Sequence, residues 1–184
     1  MTSRSETGRW WGDRLVGPGA TGAEYLLCAF AVAAGTLFAL VAGIRAGLPA
    51  IPLAVTALLA VDLYGGAVAN ATRAAKRHWH RPGRTARHHL AFVAAHLHPF
   101  VLAWAVPGVG WATATLVYGM IVAGALAVLI APPALRRPVA FAAAVLVPVA
   151  VAALAPPPAE LAWFAPVLAV KLLPGHLLAE EAGT

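Results

Sequence analysis

IPLAVTALLAVDLYGGAVA, residues 51–69, carries a single carboxylate, Asp62, near its middle. About twenty apolar residues are the length at which a helix crosses the hydrocarbon core of a bilayer. A charged side chain at that depth costs about 3 kcal/mol or more unless it is paired, protonated or wetted, so Asp62 is a candidate functional group. The chain then enters its most basic and histidine-rich stretch: Asn70, Arg73, Lys76, Arg77, His78, His80, Arg81, Arg84, Arg87, His88 and His89.

The rest of the sequence has the same character. Hydrophobic residues make up 61%, charged residues 11%, and mean hydropathy is +0.79. These values exclude a soluble globular domain and imply an all-α, polytopic transmembrane helix bundle. The net charge of +6 does not imply nucleic acid, because the basic residues gather at the ends of apolar spans. Cys28, the single cysteine, lies in the first span and excludes an internal disulfide or a CxxC pair.

Six apolar segments stand out, at 24–44, 49–70, 89–106, 111–131, 139–155 and 160–177, the fifth being short. They make residues 24–177 a transmembrane domain between an interfacial or cytoplasmic N-terminal segment, 1–23, and a tail, 178–184. Trp10 and Trp11, flanked by arginines, suit the membrane surface, and the polar start lacks the apolar core of a cleavable signal peptide. Three arginines in the first segment, six basic residues in the 70–88 loop and Arg136 with Arg137 in the 132–138 loop all fall on one side. Only Arg45 stands in the opposite loops. The positive-inside rule then places both termini in the cytoplasm, as expected of a multi-pass protein of the bacterial inner membrane. Pro107 and Gly108, Pro132 and Pro133, and Pro156 to Pro158 mark the turns. Ala31, Gly35, Ala39 and Gly43 repeat a small residue every fourth position, the pattern of a helix face that meets another helix in lipid. No internal repeat supports an inverted-repeat transporter.

Asp62, Gly66, Ala69, Asn70, Arg73, Arg77 and His80 fall on one side of a helix that continues out of the membrane. Beyond the Pro82–Gly83 turn the third span returns with His88, His89, His96 and His98. Asp62 lies eight residues before Asn70 and His96 eight after His88, so both lie about 12 Å deep and can meet. That pairing makes Asp62 the expected general acid or base, His96 its partner and Asn70 the residue that orients them. His98 lies about 200° around a straight helix from His96, so the spacing predicts no shared ion unless Pro99 distorts the helix.

The basic loop suits anionic lipid headgroups electrostatically. A sharper expectation is that Arg73, Lys76, Arg77 and Arg81 grip a phosphate or diphosphate at a cavity mouth lined by His78, Trp79 and His80, with an apolar tail held inside. His89, Lys171 and Glu24 complete the expected substrate-binding set. HExxH, CxxC, GxSxG, Walker and aspartate-rich diphosphate motifs are all missing from the sequence, so no cofactor and no metal are predicted.

Asp62, Gly65, Gly66, Asn70, Thr72, Trp79, Arg81, His96, Pro99, Lys171, Leu172, Leu173 and His176 together resemble small polytopic bacterial integral membrane proteins of unassigned function. A looser analogy is to membrane-bound terpene cyclases, which use intramembrane carboxylates to protonate an isoprenoid. No motif of theirs is matched residue by residue. The first likeness names no activity; the polar residues, with the second as an analogy, lead to the expectation of a cytoplasm-facing polar cavity and acid–base chemistry on an isoprenoid or lipid-like substrate. Two alternatives stand beside it: a proton-coupled small-molecule transporter or channel, and a non-catalytic assembly subunit in which Asp62 pairs with a basic residue such as Lys171.

Overall fold

Thr21 opens the first helix. Its hydroxyl accepts from the Glu24 amide at 3.2 Å while the Glu24 carboxylate accepts from the Thr21 amide at 2.7 Å, a reciprocal cap that satisfies two otherwise orphaned donors. A computed structural model of the chain describes residues 16–179. Trp10, Trp11 and the first three arginines lie outside the described residues, as do Glu180 and Glu181.

The described residues are helical, with no strand among them. Four helices are long and apolar enough to cross a membrane: α1 (Gly22–Arg45), α2 (Ala50–Ala71), α6 (Trp111–Ile130) and α7 (Pro133–Leu154). Between α2 and α6 run three short ones, α3 (Arg73–Trp79), α4 (Ala86–Ala94) and α5 (His98–Ala105). After α7, a 3-10 turn (Ala159–Leu161) leads into α8 (Phe164–Val170), which continues as a π-helical turn over Lys171–His176.

The small-residue face of α1 packs as expected. Gly35, Ala39 and Gly43 are buried, and a Cβ on Gly35 would lie 2.1 Å from the Tyr64 ring of α2. The two backbones approach closely because the side chains between them are missing.

Three expectations about the spans need correction. The fifth segment is not short: its helix starts at Pro133, because proline without an N–H is tolerated in a first turn, and Arg136 and Arg137 belong to that helix. The third segment is two helices, broken over Ala95 to Leu97 just ahead of Pro99. The sixth is also broken, and neither the third nor the sixth contains a single helix of crossing length.

The broken sixth segment fills the middle of the bundle. Leu161, Phe164, Leu168, Leu172, Leu173 and His176 are each no more than 5% exposed. By contrast the long helices turn large apolar side chains outward, among them Leu26, Phe30, Leu58, Leu146 and Ile130. An exterior this apolar is what a lipid-solvated bundle presents.

The polar stripe expected to run straight from Asp62 to His80 is interrupted. Thr72 takes extended backbone between α2 and α3, its hydroxyl donating to the Ala69 carbonyl at 2.7 Å and accepting from the Ala75 amide at 3.1 Å. It ends one helix and caps the next, so α3 leaves in a new direction. Gly83 makes the following turn at φ +87°, a conformation glycine adopts without strain.

Candidate functional site

Two polar clusters meet at the central segment. In the first, Lys171, 3% exposed, donates to the Asp62 carboxylate at 2.5 Å and to the Asp62 main-chain carbonyl at 3.3 Å. Gly66 makes room for it, since a Cβ there would lie 2.6 Å from Lys171 Cε. His98 Nε2 lies 3.3 Å from the same carboxylate oxygen. His96 is the ring neighbour of His98, with centroids 5.1 Å apart, and its Nδ1 donates to the Phe92 carbonyl at 2.7 Å.

The partner of Asp62 is therefore Lys171 with His98, rather than His96 alone. Asn70 does not orient the pair: its side-chain amide donates to the Lys171 carbonyl at 3.2 Å, tying α2 to the π-turn. The break over Ala95 to Leu97 removes the 200° separation expected of a straight helix. One ligand atom each of Asp62, His96 and His98 lies within 4.8 Å of the others, the convergence that a straight helix forbids and that a distortion near Pro99 was expected to allow.

The second cluster is imidazole. His89 Nδ1 and His176 Nε2 are 3.2 Å apart, both residues buried, and the rings of His80 and His89 stack at 4.6 Å. His80 Nε2 donates to the His176 carbonyl at 3.0 Å. Burial holds His80 below the ordinary imidazole pKa; the His176 carbonyl opposes that and the Lys76 ammonium adds to it. His78 is lowered by burial and by Arg81 and Arg84. The Phe92 ring lies between the clusters, its centroid 3.9 Å from His176 and 4.7 Å from His96.

A cavity of about 980 Å³ opens beside the imidazole cluster, between the ends of α2, α4, α6 and α7 and the π-turn. Lys76, Arg84, Arg136 and Arg137 stand on its walls with His80 and His89, and Leu129, Phe141, Val145, Val170, Leu177 and Leu178 supply apolar surface. Of the residues expected to bind substrate or line the mouth, Lys76, His80 and His89 are on its wall. Lys76 is also a structural cap, its ammonium donating to the carbonyls of Pro174, Gly175 and Leu178 at the end of the π-turn.

The other expected binding residues are placed elsewhere. Arg77 reaches the Gly19 carbonyl at 3.5 Å, and Arg81 donates to the His78 carbonyl. Trp79 packs on Phe92 and His176 under the Arg84 guanidinium. Glu24 caps α1 and accepts from the Ala74 amide at 3.4 Å. Arg73 and Lys171 are not on the cavity wall, and neither are Asp62, His96 and Asn70. The side chain of Asp62 is instead 49% exposed on the outer surface at mid-helix depth.

Sequence reasoning missed Arg84, Arg136 and Arg137 as one rim. Arg136 and Arg137 read only as topology signals, because the start of α7 at Pro133 was hidden by the prolines. Phe92 carries no sequence signal for its place between two histidines. No family model, no curated protein and no solved structure matches this chain.

Proposed function

We propose that the protein is a multi-pass protein of the bacterial inner membrane that binds an anionic amphiphile in a cytoplasm-facing cavity. In this reading six segments cross, four as the long helices and two as the broken ones, with both termini in the cytoplasm. The distribution of Arg and Lys supports that orientation.

One observation carries the reading: the cavity joins a cationic rim to apolar walls. Guanidinium groups on Arg84, Arg136 and Arg137 suit a phosphate or diphosphate head, which they can hold by paired hydrogen bonds. The apolar wall suits a lipid or isoprenoid tail, and its volume falls at the upper end of small-molecule sites. His89 on the wall, backed by His176, is the group placed to move a proton to or from such a ligand. Acid–base catalysis on a lipid-like substrate, by analogy with membrane terpene cyclases, is the activity this arrangement would serve.

Native mass spectrometry of the detergent-purified chain tests binding directly. A phosphate-bearing lipid is expected to copurify at one per chain, and replacing Arg84, Arg136 and Arg137 with glutamine should lower its occupancy at least tenfold. Retention of the lipid by the triple variant sinks the reading.

A proton-coupled carrier is the second reading, favoured by the stacked and hydrogen-bonded imidazoles His80, His89 and His176 beside the same cavity. Proton flux in proteoliposomes that is lost in His89→Ala would select it over an enzyme.

A further inference from the structure

We propose that Asp62, His96 and His98 form a binding site for one divalent first-row transition ion, Zn²⁺ or Fe²⁺. The site is distinct from the cavity and does not depend on the amphiphile reading. Two imidazoles and one carboxylate are a donor set for zinc or non-haem iron, and they leave coordination positions open for a further ligand. An oxygen-only cation such as Mg²⁺ or Ca²⁺ is a poorer match.

The ring orientations support the site. His96 Nδ1 donates to the Phe92 carbonyl, which places the proton on Nδ1 and leaves the Nε2 lone pair for an ion. Metal-binding histidines are commonly held in this way by a hydrogen bond from the other ring nitrogen. His98 Nδ1 is buried and has no hydrogen-bond partner, while Nε2 faces Asp62. Lys171 and His98 both approach Oδ2 of Asp62, so an ion at this site shares the carboxylate with the ammonium. Bonds of about 2.1 Å to each ligand require donor atoms no more than about 4.2 Å apart. The present set, within 4.8 Å, closes with side-chain movements of under about 1 Å.

The helix break makes the convergence possible. His96 lies in the gap between α4 and α5 and His98 opens α5, so neither is bound to the 100° step of one continuous helix. The site opens outward: Asp62 is half exposed, Leu58 one turn before it is 70% exposed, and Leu97 between the histidines is 52% exposed. An ion held here presents its open positions to an apolar surface rather than to the basic cavity. The molecule completing its coordination is then water or a membrane-soluble compound. The Lys171 ammonium, 2.5 Å from the carboxylate, is a like charge that weakens the ion's hold.

Purified full-length chain without a polyhistidine tag, stripped by chelator in detergent, is titrated with Co²⁺ as a spectroscopic probe and with Zn²⁺ by calorimetry. One ion per chain is expected, with a visible Co²⁺ absorption band. His96→Ala and His98→Ala should each weaken binding at least tenfold, His89→Ala should leave it unchanged, and Lys171→Met should tighten it. Elution volume and tryptophan fluorescence verify that each variant is folded. Absence of stoichiometric binding, binding unaffected by both His96→Ala and His98→Ala, or equal loss in His89→Ala overturns the site. None of these outcomes bears on lipid retention by the arginine rim.

Discussion

Asp62 and Lys171, separated by 109 residues in the chain, form an ion pair of 2.5 Å that fastens α2 to the first residue of the π-turn. The lysine is 3% exposed, so its charge depends on that carboxylate. Gly66, one turn beyond Asp62, opens the space through which the lysine reaches it.

Asp62→Asn is therefore expected to lose stability before it says anything about chemistry. It leaves a buried ammonium without a counter-charge, which costs about 3–5 kcal/mol. Adding Lys171→Met to that variant should restore most of the loss. Thermal unfolding in detergent measures both. A double variant that melts no higher than Asp62→Asn would falsify the assignment of Lys171 as the dependent partner.

Gly66→Ala puts a methyl group 2.6 Å from Lys171 Cε and 2.9 Å from Nζ. The lysine must shift and its bond to Asp62 lengthen, so a loss of about 1–3 kcal/mol is expected. Gly119→Ala is the comparison, because a Cβ there meets nothing within 4 Å. Equal melting temperatures for the two variants would contradict the steric argument.

Lys76→Met should loosen the π-turn rather than the long helices. Its ammonium serves the carbonyls of Pro174, Gly175 and Leu178, and hydrogen bonds to a charged group contribute about 1.5–3 kcal/mol. Hydrogen exchange is expected to rise over residues 171–178 and to stay low in α6. Uniform acceleration across the chain would show a global effect instead.

His80 gives the bundle a pH dependence. Burial holds its pKa in the fold below the ordinary imidazole value of about 6.5, so below that pH the unfolded chain binds more protons than the native one. The His80 contribution is complete at neutral pH and is lost as pH falls from about 6.5 toward the lowered folded value. His80→Gln should make the melting temperature flatter over that interval. A slope identical to wild type would assign the dependence to other groups.

How much of this could be read from the sequence differs between elements. Uninterrupted runs such as 24–44 and 111–131 specify their helices, because length and hydropathy alone decide them. The small-residue face of α1 was likewise readable, since Gly35, Ala39 and Gly43 recur at helical spacing. Asp62 stands out in the sequence by its cost in a membrane, and Lys171 is a basic residue able to pair with it. The breaks were harder. His96 in the first break, and Lys171, Pro174, Gly175 and His176 in the second, mark polar or helix-breaking positions without saying where a helix ends, which packing and the nearby prolines decide. Once the third segment breaks, His96 and His98 face together, a convergence that counting residues along a regular helix excludes.

Chain order adds a consequence to the placement of the sixth segment. The four long outer helices all precede it and emerge from synthesis before the piece that occupies their centre exists. Asp62 and Asn70 of α2 both contact Lys171, so neither contact can form until that residue has been synthesised. The contacts that centre the bundle therefore form late in synthesis order, after the helices they join have been made.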